Sequence, residues 1–347
     1  MKRLSVMLDG YGKISVDEQE VPKITDNDVL VEVHASLISP GTEMGDVKCF
    51  RDKPDPNFKK IPFGYSNAGI VLEAGKNCKR LKKGMRIASM GNKYAQHSSH
   101  NIAAQNMCVP IPDNVSFEDA TFACLGATAL QSIRRAELEF GENVLVAGLG
   151  IIGNFAGQLA RYSGCHVIGM DLFELRKELS MKTGFDKVID PKKEDMIKAC
   201  AEFTKGRGID CAFICLGGDG TELLKNIYKT ISIAPDTHRW GRIVIPGGVQ
   251  ITTTFAAALG NVDLRSSART GPGYFDPAYE QGADYPAVFV PWDTQRNLEE
   301  IVRGIAEKKL SVNPMISHRF PLAKAADACD LLIEHPDQSL GVILQPR

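Results

Sequence analysis

The sequence predicts an α/β chain in which a doubly wound parallel sheet follows a β-rich head. Three observations predict it. Residues 142–171 set out an apolar strand, a glycine turn, an amphipathic helix, a second apolar strand and an acid in unbroken succession. From there to about residue 268, short apolar runs alternate with helical patterns, the rhythm of a parallel sheet covered on both faces. Before about residue 115 the strands show no such alternation with helices.

The glycine turn comes first because its spacing carries chemistry. Val144 to Ala147 reads as the strand, Gly148-Leu149-Gly150-Ile151-Ile152-Gly153 as the turn, and Ile151 to Tyr162 as the helix. Val167 to Met170 is the second strand, and Asp171 follows Gly153 by eighteen residues. Three glycines at this spacing arise by chance in many chains. With strand, helix, strand and acid in place, the pattern reads as a dinucleotide site rather than a glycine turn in some other parallel domain. Gly148 permits the tight turn, Gly150 lets backbone approach a pyrophosphate, and Gly153 lets the helix pack close to the strand. The N–H groups of Ile151 and Ile152 open the helix toward the phosphates.

In the head, Val29 to Ala35 alternates as a half-buried strand, and Ile70 to Gly75 and Lys83 to Ala88 follow as two more. Ser39 to Glu43 and Pro62 to Gly69 read as polar loops between them. Ser116 to Asp119 begins a helix with acids in its first turn, which runs over Ala120 to Glu137 with a break near Gly126. Beyond the glycine turn, strands are expected at Lys187–Asp190, Ile209–Cys215, Gly241–Gly248 and Val262–Ala268, with helices at Glu194–Phe203 and Glu222–Ile231. Ligands of such sheets lie at the carboxyl ends of the strands. Leu216, Gly217 and Gly247 therefore join Asp171 as expected cofactor contacts. Arg269 to Pro291 is aromatic and broken by Pro and Gly, and reads as irregular. Asn297–Lys308 and Leu322–Glu334 read as helices, Ile316–Pro321 as an extended segment between them and Leu340–Leu344 as a closing strand. The expected division is 1–118 for a catalytic β-rich domain, 119–271 for the nucleotide-binding domain, and 272–347 for a return to the first.

Composition bounds the function. Forty-one Lys and Arg against forty-two Asp and Glu give a formal net charge of −1, with no basic face for nucleic acid or an anionic membrane. No apolar run approaches the roughly eighteen residues of a membrane span, and the first residues do not read as a signal peptide. Nine scattered cysteines suggest reduced thiols and a cytoplasmic protein.

The organisation resembles the medium-chain dehydrogenase/reductase superfamily along essentially the whole chain. That resemblance implies a Rossmann sheet plus a GroES-like catalytic domain, a nicotinamide cofactor and a homo-oligomer. The superfamily's Cys-Gly-Thr-Asp zinc loop reads Ser39-Pro40-Gly41-Thr42-Glu43 here, and its Gly-His-Glu motif reads Gly64-Tyr65-Ser66. The Cys and His ligands are missing, and only one Cys lies between Met90 and Cys108, where the four-Cys structural lobe would stand. A catalytic zinc takes three protein ligands and a structural one four, so no metal is expected. His97 and His100 would point to opposite faces of a strand and read as histidines satisfied by hydrogen bonds. Asp171 can accept from both ribose hydroxyls and would repel a 2′-phosphate, which favours NAD over NADP; Arg176 nearby pulls the other way. The segments SLISPGTE, PFGYSNAGIV, ACLGATALQSIRRAE and RTGPGYFDPAYEQGADYP are similar to zinc-free dehydrogenases of bacterial sugar and polysaccharide metabolism, some of them units of two-domain oxidoreductases. The likeness implies oxidation of a secondary alcohol of a sugar or polyol, or the reverse.

Without a metal, side chains must take the alcohol proton. Tyr65 stands where the zinc-binding His would be and Glu43 where the Asp would be, with Lys93 on a segment that lines the superfamily's substrate pocket. An ammonium beside the phenol would depress its pKa. Plainer roles are a core aromatic, an ion-pair partner and a solvated charge. Ser39 and Ser66 are expected near substrate, and Thr128 near the nicotinamide. Arg269, Tyr274, Asp276, Tyr279 and Tyr285 crowd one loop whose rings would stack on a sugar and whose charged groups would bind its hydroxyls. A lid whose aromatics pack on the protein itself is the other reading of that loop. A quinone- or enone-reductase using NADPH and a nucleotide-binding protein without turnover are the competing functions.

Overall fold

A computed structural model describes residues 1–346 and divides the chain into two compact units. One is contiguous, Thr128–Arg269; the other joins Met1–Ala127 to the chain from Thr270 onward.

The contiguous unit is a six-stranded parallel sheet. Its strands are β1 (Asn143–Ala147), β2 (His166–Met170), β3 (Lys187–Ile189), β4 (Cys211–Ile214), β5 (Trp240–Ile245) and β6 (Asn261–Ser266). Their spatial order is β3-β2-β1-β4-β5-β6, reversing beside β1 and so placing a ligand crevice at its carboxyl end. β4 is buried along its whole length and β1 along all but its first residue, as strands covered on both faces must be. Helix α1 (Ile151–Tyr162) forms because Ile151, Phe155 and Leu159 recur every four residues and bury one face. Gly157 and Gly169 leave room for the Phe185 ring against the helix and β2.

The second unit is built on a seven-stranded sheet. Its long strand Asp28–Ile38 pairs with Ser66–Ala74, with His100–Ala104 and, through Ser36–Ile38, with the late strand Gly341–Gln345. Ile316–Pro321 then pairs in parallel with Gly341–Gln345. The early and late segments share one apolar core, in which Val6, Ile38 and Val47 meet Leu322, Leu332 and Leu344.

Several elements differ from the sequence expectation. Ser66–Gly69, expected in a loop, begins a strand, and its residues are buried as sheet positions. Thr42–Asp52, whose first residues were read as loop, is a helix that buries Glu43, Met44 and Val47. The interruption expected near Gly126 falls earlier: Phe117–Ala120 is a short helix capped by Ser116, and Ala123–Ala136 is continuous through Gly126. Asp293 caps the helix Thr294–Ala306 through the Arg296 N–H, which moves its start ahead of Asn297. All nine cysteines are free, and no helix among the described residues is long and apolar enough to cross a membrane.

Candidate active site

The glycine turn between β1 and α1 is shaped by what its glycines lack. Gly148 has φ +90°, and a Cβ there would stand 2.8 Å from the Cys215 carbonyl oxygen. A Cβ at Gly153 would overlap the Gly148 carbonyl oxygen, so the helix reaches the strand only because residue 153 is glycine. At Gly150 the added atom would meet nothing within 4 Å. Backbone is therefore bare at the residue that caps α1, and no side chain occupies the cap. Ile151, Ile152 and Gly153 form the first turn, where N–H groups lack intrahelical acceptors. These residues fit a dinucleotide's pyrophosphate.

Asp171 follows β2 directly and is 8% exposed. One carboxylate oxygen accepts from the Leu149 N–H at 2.7 Å and the other from the Phe173 N–H at 2.9 Å. The Arg176 guanidinium lies 3.8 Å from Asp171 and 4.7 Å from the centre of the Phe173 ring. Burial pulls its pKa down, against the Asp171 charge that pulls it up. Leu216 and Gly217 leave β4, and Gly247 leaves β5, side by side. A Cβ added at Gly247 would stand 3.6 Å from the Leu216 carbonyl oxygen and one at Gly217 3.7 Å from that of Gly248, and Gly218–Asp219 pairs with Val249–Gln250. Thr128 is half-buried within the helix Ala123–Ala136 and is not at its N-cap.

The head unit gathers four distant segments around one carboxylate. Glu43, in the first turn of Thr42–Asp52, is 3% exposed. Its Oε2 accepts from the Ser39 N–H at 2.7 Å and lies 3.3 Å from His97 Nε2. His97 is fully buried, and its Nδ1 lies 2.9 Å from Ser36 Oγ. Glu43 Oε1 is buried without a hydrogen-bond partner. The half-buried Tyr65 belongs to this group: burial pushes its phenol pKa up, the Glu43 and Cys124 charges add to this, and the Ser39 and Thr42 hydroxyls oppose it. Ser66 gives its hydroxyl to the Thr121 carbonyl at 2.6 Å. Its expected substrate role is corrected to a bond that holds the strand to the following helical segment. Sequence spacing did not bring His97 to Glu43. The available signal was a histidine set among small residues, with Ala95 and Ser98 both buried.

Lys93 is not Tyr65's partner. The Gly91 N–H donates to the Tyr65 carbonyl at 2.9 Å, so the turns adjoin, but the Lys93 side chain is exposed. The phenol is pushed up rather than depressed, because carboxylate and burial surround it instead of an ammonium.

The aromatic loop is largely spent on itself. Tyr279 is 1% exposed, its hydroxyl accepts from the Gln295 N–H at 3.1 Å, and its ring stacks on Tyr285 at 4.8 Å. Asp276 caps Pro277–Glu280, a short helix in a stretch expected to be irregular, and accepts from the Tyr285 hydroxyl at 2.6 Å. That bond holds the Asp276 carboxyl below its ordinary value. Tyr279 is thus corrected from a sugar contact to the loop's own packing, while Asp276 and Tyr285, both half-buried, are bonded to each other. Tyr274 is half-buried and accepts from the Asn92 N–H at 3.1 Å. Arg269 is exposed, with φ 47°.

Solved structures show the same architecture. The chain aligns over its full length with a candidate zinc-binding dehydrogenase from Sinorhizobium meliloti 1021 bound to NADP, covering all of both chains at TM-score 0.79 and 20% identity. The chain thus shares the fold of that dehydrogenase structure. Residues 152–281 match the family model of zinc-binding dehydrogenases. Among curated relatives, D-arabitol-phosphate dehydrogenase of Enterococcus avium is 22% identical, over 96% of this chain and 95% of the relative. Human sorbitol dehydrogenase is 26% identical, over 94% and 91%. Both of these relatives are dehydrogenases of polyols or polyol phosphates.

These comparisons overturn the expectation of NAD in preference to NADP and of no zinc. The matched model is that of zinc-binding dehydrogenases, and the Sinorhizobium protein holds NADP. A physical reason is at hand for the dinucleotide: the Arg176 guanidinium beside Asp171 offsets the charge on which rejection of a 2′-phosphate rested. For zinc, no group of three or more His, Cys, Asp or Glu among the described residues could hold a metal ion, which does not fit a three-ligand site. No step below passes through a metal.

Proposed function

We propose that the protein is a nicotinamide-dinucleotide-dependent dehydrogenase that oxidises a secondary alcohol of a sugar or polyol, or reduces the corresponding ketone. The observation that carries the reading is the glycine turn, where Gly148 and Gly153 admit no side chain and Gly150 leaves the helix N-terminus bare. The dinucleotide, when bound, supplies the hydride acceptor. Gly148, Gly150, Ile151, Ile152 and Gly153 would hold its pyrophosphate, Asp171 and Arg176 its ribose end, and Leu216, Gly217, Gly247 and Thr128 would complete its contacts. The substrate class follows the polyol and sugar dehydrogenases among the relatives.

Tyr65 and Glu43 handle the proton. A bound dinucleotide would accept the hydride of the alcohol carbon, and the hydroxyl proton would pass to the Tyr65 oxygen. The Tyr65 proton passes in turn toward Glu43, a rotation of the phenol O–H bringing it to Oε1, the carboxylate oxygen that no donor holds at rest. A phenol whose pKa is raised keeps its proton until that moment, which suits a relay better than a standing base. Ser39 steadies both residues, through its N–H to Glu43 and its hydroxyl to Tyr65.

The test is a titration with NAD and with NADP, followed by turnover over sugars, polyols and their phosphates with whichever binds. Reduced dinucleotide formed with at least one polyol is the expected result. Turnover of quinones or enones alone, or binding with no turnover of any alcohol, would replace the reading.

A further inference from the structure

His97 is the buried titratable group that the proton path above leaves unused. Its position is built rather than incidental. Gly64 has φ +115°, and a Cβ there would overlap the His97 backbone and ring. Phe63 presents its ring at 5.8 Å, edge to face, and the His97 N–H donates to the Phe63 carbonyl at 2.8 Å. The imidazole is thereby clamped between Ser36 Oγ and Glu43 Oε2 with no exposed surface.

We infer that His97 is a positioning residue for Glu43, and that the buried line Ser36–His97–Glu43 decides which carboxylate oxygen takes the proton. The inference rests on the dehydrogenase reading and deepens it. A neutral imidazole has one N–H. With Ser36 giving its hydroxyl hydrogen to Nδ1, the ring hydrogen lies on Nε2 and is donated to Glu43 Oε2. That oxygen then accepts twice, from His97 and from the Ser39 N–H, while Oε1 accepts from nothing. The two oxygens of one carboxylate become unequal, and Oε1 is the better proton acceptor. One proton arrives at Oε1, and none is passed to or from the His97 ring. Besides His97, the titratable groups that face Glu43 are Asp46 on its own helix, Tyr65, Cys124 of Ala123–Ala136 and Cys329 of Ala325–Glu334.

His97→Phe keeps a ring over Gly64 and removes both nitrogens. Donors to a carboxylate favour its charged form, so losing one moves the acid limb of the pH–kcat profile up by about one unit. It also lowers kcat on the order of tenfold, leaving the dinucleotide Kd unchanged. His97→Gln, which retains an N–H, restores part of the limb. Ser36→Ala, which frees the tautomer but keeps the ring, moves it in the same direction by less; it serves as the second variant where His97→Phe does not fold. A ring that only fills space would lower Tm while leaving the limb in place, and that result in folded protein overturns the inference. A carbon-13 titration of the Glu43 carboxyl in the same variants needs no turnover. An upward shift there in a protein that oxidises no alcohol would sink the dehydrogenase reading and keep the geometry; an unmoved carboxyl beside normal polyol turnover would do the reverse.

Discussion

The two units make their sites in opposite ways. The glycine turn proposed to take the dinucleotide is made of backbone: its working parts are absent side chains at Gly148, Gly150 and Gly153, separated by a few residues of one chain segment. The head's cluster is made of side chains from Ser36, Glu43, Tyr65 and His97, delivered by one strand, one helix and two turns. A local backbone site tolerates almost any change outside its glycines and none at them. An assembled side-chain site distributes its dependence over several elements, so single losses there should be graded.

The largest expected effect tests the first half of that contrast. Gly153→Val forces a side chain into the Gly148 carbonyl. A misfit of about 3 kcal/mol taken from binding weakens the dinucleotide by roughly a hundredfold. Calorimetric titration at near wild-type affinity would show that the turn has other ways to relax.

Next in size is Glu43→Gln, which keeps the shape and removes the charge. Loss of a proton acceptor costs on the order of a hundredfold or more in kcat, with dinucleotide affinity unchanged because no residue of the turn is touched. Full turnover in the Gln variant would take Glu43 out of the chemistry.

A smaller effect separates scaffold from substrate contact at Ser66. Ser66→Ala leaves the Thr121 carbonyl short of its donor, costing about 1–3 kcal/mol of stability, read as a lower Tm. A raised KM at unchanged Tm would return Ser66 to the substrate.

The smallest effect concerns the aromatic loop and pH. The Tyr285 hydroxyl holds the Asp276 carboxyl below its ordinary 3.8. A depressed folded value contributes stability that is present above the unfolded pKa and lost as pH falls through the folded one. Protection factors over residues 274–285, which divide out the intrinsic pH dependence of amide exchange, should therefore fall below about pH 4, and Tyr285→Phe should remove that acid dependence. Protection that is equal at pH 6 and pH 3 would contradict the bond.

This contrast also explains what could be read from the amino-acid order. A parallel sheet and a glycine turn are specified by short-range periodicity, and the strand ending at Ala147, the helix from Ile151 and Asp171 all stand where spacing puts them. The cluster around Glu43 was half legible. Glu43 and Tyr65 stood out as departures from a known motif, whereas His97 is fifty-four residues from Glu43 and no period connects them. Lys93 and Tyr279 failed for a related reason. Residue type suggests what a side chain can do, but exposure of one and burial of the other were set by tertiary packing.

The discontinuous head has a consequence for the order in which the protein is made. During synthesis, units emerge and fold in sequence, and the parallel sheet of residues 143–266 has all its strands once that stretch has left the ribosome. The head's long strand Asp28–Ile38 can pair early with Ser66–Ala74 and His100–Ala104, but its end Ser36–Ile38 gains its second neighbour only with Gly341–Gln345. Ser36, already opposite Asn67, is among the residues whose sheet is completed last. The nascent protein thus has its glycine turn well before the strand end that carries Ser36 is closed in on both sides.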